Sequence, residues 1–269
     1  MKYEKHKIAC QPENRFTVDR PWWQSALDFM LPPYCVLCGQ PSGSACLCTG
    51  CKSDLPFTGT QCLRCGLPLG SPKDKICGEC IQKTPPYFRT VCPLRYEFPV
   101  NRLVQAFKFR RQLAAGRILS QLICETVDSS QFSLPDTLVP VPLHGLRMLS
   151  RGFNQAYELA SYAGRVLDIP VLNDALRRRR NTRAQSGLSR KQRHRNLRGA
   201  FYWRGSTRPG RHVALIDDVM TTGTTVAECS RILRKAGAKR VDVWVAARAL
   251  PPGRRQSVQS VSASTAQRS

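Results

Sequence analysis

The sequence predicts an α/β fold, an open and mostly parallel sheet flanked by helices, preceded by a small cysteine-rich module. Three observations predict it. Helical and strand periodicities alternate between residues 88 and 250; an apolar strand pattern at 212–216 runs through a threonine-rich loop into a helix; and four Cys-x2-Cys pairs crowd the segment ahead of both. Such alternation implies parallel strands whose crossovers are helices.

Taken in order, a chain of 269 residues exceeds the usual single-domain size, so two domains plus tails are expected. Residues 1–21 are polar, studded with charge and without an apolar stretch, which predicts a disordered N-terminal extension rather than a secretory signal. Trp22, Trp23, Leu27, Met30 and Leu31 fall at helical spacing and make 22–34 an amphipathic tether, ended by Pro32-Pro33. Residues 35–83 hold too few large apolar side chains to build a core, so that segment needs a staple. Thr84-Pro85-Pro86 reads as a linker into the α/β domain at 88–250, and 251–269, rich in Pro, Gly, Ser, Gln and Arg, as a disordered tail.

Within the α/β domain, 101–123 reads as one amphipathic stretch, 137–143 as a short strand entering a proline-marked turn, and 153–167 as a helix. A short strand at 170–172, a strand at 212–216, a helix at 226–236 closed by Gly237 and a strand at 240–247 complete it. No run approaches the ~18–20 apolar residues of a membrane span, and the expected compartment is the cytoplasm.

In a reducing compartment, thirteen cysteines point to metal rather than disulfides. Eight of them form the pairs Cys35/Cys38, Cys48/Cys51, Cys62/Cys65 and Cys77/Cys80. Each x2 spacing aims two sulfurs at one tetrahedral centre, and two such knuckles close a zinc shell, which makes this a double zinc ribbon. Four thiolates leave no open position, so two structural ions are expected. The spacing leaves open whether the pairs combine sequentially or cross-braced, and Cys46 competes with Cys48, which is preferred because it restores the x2 spacing.

The most specific stretch is Val213-Ala214-Leu215-Ile216-Asp217-Asp218-Val219-Met220-Thr221-Thr222-Gly223-Thr224-Thr225. A buried strand delivers two carboxylates at its C-terminal end, where open parallel sheets bind ligands. The hydroxyl-rich loop then meets a helix start, whose free N–H groups and dipole suit a phosphate. Thr225 and Glu228 have the spacing of a capping box, which predicts the helix start there. A well-capped turn would explain Gly223, Thr225 and Glu228, but not two adjacent acids and three more threonines.

Four apolar residues, two acids, two variable positions and Thr-Thr-Gly-Thr-Thr resemble the phosphoribosyl pyrophosphate motif of type I phosphoribosyltransferases. With the cysteine module and Arg151-Gly152-Phe153-Asn154-Gln155, the chain resembles the ComF family, above all its GntX-like DNA-utilisation members, from Trp22 to Leu250. The resemblance implies a type I phosphoribosyltransferase-like sheet. It implies that Asp217 and Asp218 hold the ribose hydroxyls and that Thr221, Thr222, Gly223, Thr224 and Thr225 cradle the 5′-phosphate. Pyrophosphate, with Mg²⁺, would meet the turn after Val141-Pro142-Leu143, with Arg147 and Arg151 as the nearest cations and Lys108 facing the same phosphates.

Charge adds a second theme. Lys and Arg outnumber Asp and Glu by 42 to 18, a formal +24, which favours a polyanionic partner. Ten of those cations and no acid lie between Arg177 and Arg198, a density that predicts a flexible loop over the site. Arg177, Arg178, Arg179, Arg180, Arg183, Arg190, Lys191 and Arg193 are candidates to track single-stranded DNA, with Phe201, Tyr202 and Trp203 as stacking faces.

Three functions follow: binding of phosphoribosyl pyrophosphate, or a related ribose 5-phosphate, and single-stranded DNA in DNA uptake or nutrient use; Mg²⁺-dependent phosphoribosyl transfer to an unnamed acceptor; or a zinc-ribbon scaffold on a retired enzyme fold. Type I enzymes are often dimers, which by analogy makes a homodimer possible here.

Overall fold

A computed structural model describes residues 34–42, 46–130, 132–179, 199–205 and 208–251. Two one-turn helices, α1 (Thr49–Ser53) and α2 (Gly78–Gln82), belong to the cysteine module. The rest runs β1 (Arg89–Val91), β2 (Leu94–Arg95), α3 (Val100–Phe109), α4 (Leu113–Ser129), β3 (Thr137–Pro140), α5 (Gly145–Arg151) and α6 (Gln155–Leu167). It continues through β4 (Leu176–Arg178), β5 (Phe201–Trp203), β6 (His212–Met220), α7 (Thr224–Lys235) and β7 (Arg240–Arg248). The tether, both tails and Arg180 to Arg198 lie outside the described residues.

The main sheet is parallel throughout, in the order β1-β7-β6-β3, with β2 also on β7. β1 and β2 keep one register along β7, Arg89 opposite Asp242 and Leu94 opposite Ala247, so they form a single edge strand interrupted at Cys92-Pro93. Strands buried on both faces read as continuous apolar runs, and β6 and β7 do so. Their side chains alternate between two cores. Val213, Leu215, Val241, Val243 and Val245 face α7, with Val226 and Leu233. Ala214, Ile216, Trp244 and Ala246 face α3, α4 and α6, with Leu103, Phe107, Leu119 and Leu159.

Four expectations change. The stretch read as one helix is two, because Arg110–Gln112 break it and Arg111 takes a left-handed φ of 52°. The two helices then pack so closely that a Cβ on Gly116 would lie 2.5 Å from the Phe107 ring. The strand expected to end at Ile216 runs on to Met220, since its ladder with β7 continues through Val219 and Met220. Helix α7 begins two residues early, because Gly223, at φ 73°, takes the N-cap that the capping-box spacing gave to Thr225. Glu228 instead accepts a hydrogen bond from Gly199 N at 3.2 Å and pairs with Arg231 at 2.8 Å. The short strand at 170–172 is a single bridge, Val171 to Leu138. No helix of the described residues is long and apolar enough to cross a membrane.

The Gly116–Phe107 contact is testable. Gly116→Ala is expected to cost about 1–3 kcal/mol by overpacking. Chemical denaturation should show that loss, and Phe107→Leu in the same chain should recover part of it; independent, additive losses would mean the helices do not meet there.

Candidate functional site

The cysteines settle first. The sulfurs of Cys35, Cys38, Cys48 and Cys51 lie within 4.8 Å of one another, as do those of Cys62, Cys65, Cys77 and Cys80. Pairing is therefore sequential, and Cys48 rather than Cys46 completes the first centre. Both centres follow one local rule. The first knuckle of each turns through a glycine of positive φ, Gly39 or Gly66, whose N–H donates to Cys35 O or Cys62 O at 2.9 Å. The second opens a one-turn helix capped by Cys48 or Cys77. Backbone N–H groups also reach sulfur, Cys51 N to Cys48 Sγ at 3.4 Å and Cys77 N to Cys62 Sγ at 3.3 Å. Hydrogen bonding from Cys65, joined by backbone amides, lowers Cys62 to about 4 against the cost of burial. Four sulfurs converging on one centre fit zinc with no position left for substrate.

The acidic pair lies in a cleft of about 310 Å³ at the C-terminal ends of β3 and β6. Lys108, Val141, Pro142, Leu143, Arg151, Gln155 and Arg178 line it opposite Asp217, Asp218 and the whole threonine loop. Each acid is braced by the next backbone amide, Asp218 N to Asp217 Oδ1 at 2.9 Å and Val219 N to Asp218 Oδ1 at 2.6 Å. Lys108, in the last turn of α3, meets Asp218 Oδ2 at 2.7 Å. A solvated lysine would not do this; the side chain belongs to the cleft. Burial first, then the neighbouring Asp218, push Asp217 up to about 7, against the pull of Lys108 and Arg178.

The loop leads directly into a helix N-terminus. Left-handed Gly223 turns the chain into the twelve-residue helix α7, whose first turn holds no acid. Thr222 and Thr224 bond through their hydroxyls at 2.8 Å. Backbone carbonyls of Met220 and Thr221 accept hydrogen bonds from Arg248, a side chain 95% buried that sequence reasoning did not single out. Gln155 is a second omission. It is buried, its Oε1 accepts from Arg151 Nη1 at 2.9 Å, and its Nε2 has no partner among the described residues. A buried donor of this kind at the cleft wall suits a phosphate oxygen. Asn154 caps α6 through Ala156 N and holds Val141 O at 3.2 Å, fixing the turn to the helix.

The remaining expectations divide. Arg151 lines the cleft and stacks on exposed Phe109 at 5.4 Å; Arg147 lies in the same helix, α5, its side chain outside the described structure. Arg178, expected on a DNA track, sits in the cleft over Phe201. Arg177 pairs with Asp174 at 3.0 Å and Arg179 reaches Gly199 O at 3.2 Å, both on the β4–β5 hairpin. Arg180, Arg183, Arg190, Lys191 and Arg193 lie outside the described residues. Phe201 is buried and cannot stack on a base, and Trp203 is half-buried, which leaves Tyr202 exposed. His144 is not among the residues lining the cleft.

Comparison with known proteins agrees with both halves. A double zinc ribbon domain matches residues 26–81, and a phosphoribosyl transferase domain matches 112–261. Competence protein F of Haemophilus influenzae is 39% identical over 209 residues, 76% of this chain and 90% of the relative. The chain belongs to the ComF family. DNA utilization protein YhgH of Escherichia coli K12 is 37% identical over 82% of this chain and 99% of its own length. Competence protein ComFC of Streptococcus pneumoniae is 27% identical over 78% and 97%. The ComF-family chain therefore joins a double zinc ribbon to a phosphoribosyltransferase-like α/β fold.

Two outcomes are expected from this geometry. Native mass spectrometry should show two zinc ions per chain, one for each centre; a metal-free chain of native fold would remove the ribbons. Asp217 binds its proton more tightly folded than unfolded, so its contribution to stability is complete below about pH 3.8 and is lost as pH rises through about 7. Asp217→Asn cannot ionise, and its melting temperature should gain on the wild type between about pH 4 and about pH 7. Parallel curves would show that Asp217 titrates as an ordinary carboxyl.

Proposed function

We propose that this ComF-family protein binds phosphoribosyl pyrophosphate, or a related ribose 5-phosphate, in the cleft. We also propose that it binds single-stranded DNA along its basic segment, in DNA uptake or use of DNA as a nutrient. One observation carries the first part: two carboxylates and an acid-free helix N-terminus share one cleft with Lys108, Arg151 and Arg178. A bare phosphate needs only the helix end and the cations. A ribose adds vicinal hydroxyls, which need acceptors, and the acidic pair supplies them.

In this reading the 5′-phosphate rests on the N–H groups and hydroxyls of Thr221–Thr225, where the dipole of α7 favours negative charge. Asp217 and Asp218 accept from the 2′- and 3′-hydroxyls, and Lys108 holds Asp218 in place by an ion pair at 2.7 Å. The diphosphate lies toward the Pro142-Leu143 turn, facing Arg151, Arg178 and the free Nε2 of Gln155. Mg²⁺ fits the hard oxygen donors of the acidic pair and would neutralise diphosphate charge when bound. The competence and DNA-utilization names of the relatives support the biological setting, and the +24 charge supports a polyanion.

Calorimetric titration with phosphoribosyl pyrophosphate and Mg²⁺ tests the cleft. Wild type should bind and an Asp217→Asn, Asp218→Asn protein should lose at least about tenfold in affinity, the cost of hydrogen bonds to charged groups. Absence of binding to wild type would sink the assignment. For DNA, Arg177, Arg179 and Arg180 are changed to Ser with Arg178 kept. If each meets a phosphate, the slope of log affinity against log salt for single strands should become shallower by about 2; an unchanged slope would remove the segment from the DNA path.

A further inference from the structure

The second cysteine centre and the threonine loop are far apart in sequence and share one buried guanidinium. Arg248, the last residue of β7, donates through Nε to Cys65 O at 2.9 Å. Its Nη1 donates to Met220 O at 2.9 Å, to Thr221 O, and to Ala249 O at 2.9 Å. The side chain is 95% buried, so no water substitutes for these acceptors at low cost.

Two further contacts tie the same parts. Leu250, two residues on, is buried in one cluster with Cys62, Cys65, Cys77 and Cys80. Tyr87, shortly after the second centre, is buried with its hydroxyl so near Gly223 that a Cβ there would stand 3.3 Å from it. Among the described residues, the first centre has no such link. It packs with Leu47 and Leu55 against the α3–α4 core and pairs Lys52 with Glu125 of α4 at 3.3 Å.

We propose that Arg248 is a positioning residue through which the second zinc centre, and not the first, sets the conformation of the threonine loop. The carbonyl of Cys65 belongs to a metal-ligating knuckle, so its position is fixed when the four sulfurs are drawn onto one ion. That carbonyl orients the guanidinium, whose planar fork in turn holds the carbonyls of Met220 and Thr221. The N–H groups of the following residues then point into the cleft before any ligand arrives. Losing the second ion frees Cys65, and the loop loses its template. The functional weight of this rests on the loop being a phosphate cradle; the mechanical coupling does not.

The test reads the ligand-free, full-length protein by amide hydrogen exchange, resolved over residues 220–225. Arg248→Lys keeps the charge and the fold, yet one ammonium cannot span Cys65 O and the loop carbonyls. It should speed exchange in that segment by about tenfold, the cost of a charged hydrogen bond, with both zinc ions retained. Cys77→Ser, which opens the second centre, should speed the same amides, and the double variant should add nothing further. Cys38→Ser, which opens the first centre, should leave that segment as in wild type.

Unchanged exchange in Arg248→Lys, or effects of Arg248→Lys and Cys77→Ser that add, would overturn the proposal. Should either variant fail to fold, wild-type protein is followed as EDTA withdraws zinc. Exchange at 220–225 rising ahead of global unfolding supports the coupling; a rise only with global unfolding overturns it. Calorimetry with phosphoribosyl pyrophosphate runs separately. Its failure on wild type would end the ribose 5-phosphate reading and leave the exchange result standing.

Discussion

Two adjacent carboxylates at the end of a strand buried on both faces repel each other and lose hydration together, and the surrounding structure is arranged around that cost. Burial and Asp218 push Asp217 up to about 7, so its own charge is adjustable near neutral pH. What keeps the second charge within reach is a ring of cations from elements remote in sequence: Lys108 from α3, Arg151 from α5, Arg178 from β4. The break between α3 and α4 then has a purpose. It ends α3 at Phe109, leaving Lys108 in the last turn, where the helix dipole favours a cation and Asp218 lies within 2.7 Å.

How much of this could be read from the sequence depended on whether the signal was local. The cysteine pairs were legible down to the ligands, because the x2 spacing and knuckle glycines are local rules; the sequential combination needed coordinates. The alternation of strands and helices was legible because β6 and β7 are apolar on both faces. Their ends were not. Asp217 and Asp218 read as the close of a strand, yet the ladder with β7 carries the backbone on to Met220. The capping-box spacing at Thr225 lost to Gly223, because a left-handed glycine turns the chain two residues earlier and Glu228 meets Gly199 instead. Arg178 was hidden inside a run of arginines, and Arg248 was a lone cation at a strand end. Neither has a pattern of its own; only the fold tells which arginine turns inward.

The two ribbons make the same point about context. Their knuckle hydrogen bonds, glycine turns and one-turn helices match, so the local chemistry of zinc binding is duplicated. Their surroundings differ. In the first, Cys38 is exposed and Cys48 and Cys51 are half-buried; in the second, all four cysteines are buried beneath Leu67 and Leu250. A duplicated motif with unequal burial carries unequal mechanical load, and the second centre stands where the chain enters and leaves the sheet.

The opposite end of the same two strands shows why the pair at the cleft is poised rather than fixed. Asp242, on β7, is as buried as Asp218, yet it meets Arg240 at 2.8 Å, His212 at 3.0 Å and Arg89 at 3.3 Å. Burial raises its pKa, but hydrogen bonds from His212 and Arg240 outweigh that and hold it below the usual carboxylate range. Direct bonds to several cations thus lock a buried acid in its charged form, tying β1, β6 and β7 together at that end. Asp217 has burial without such bonds, because Lys108 spends its ammonium on Asp218. It accepts one backbone hydrogen bond, from Asp218 N, and its charge stays adjustable, the condition a ligand-facing carboxyl requires and a structural one does not.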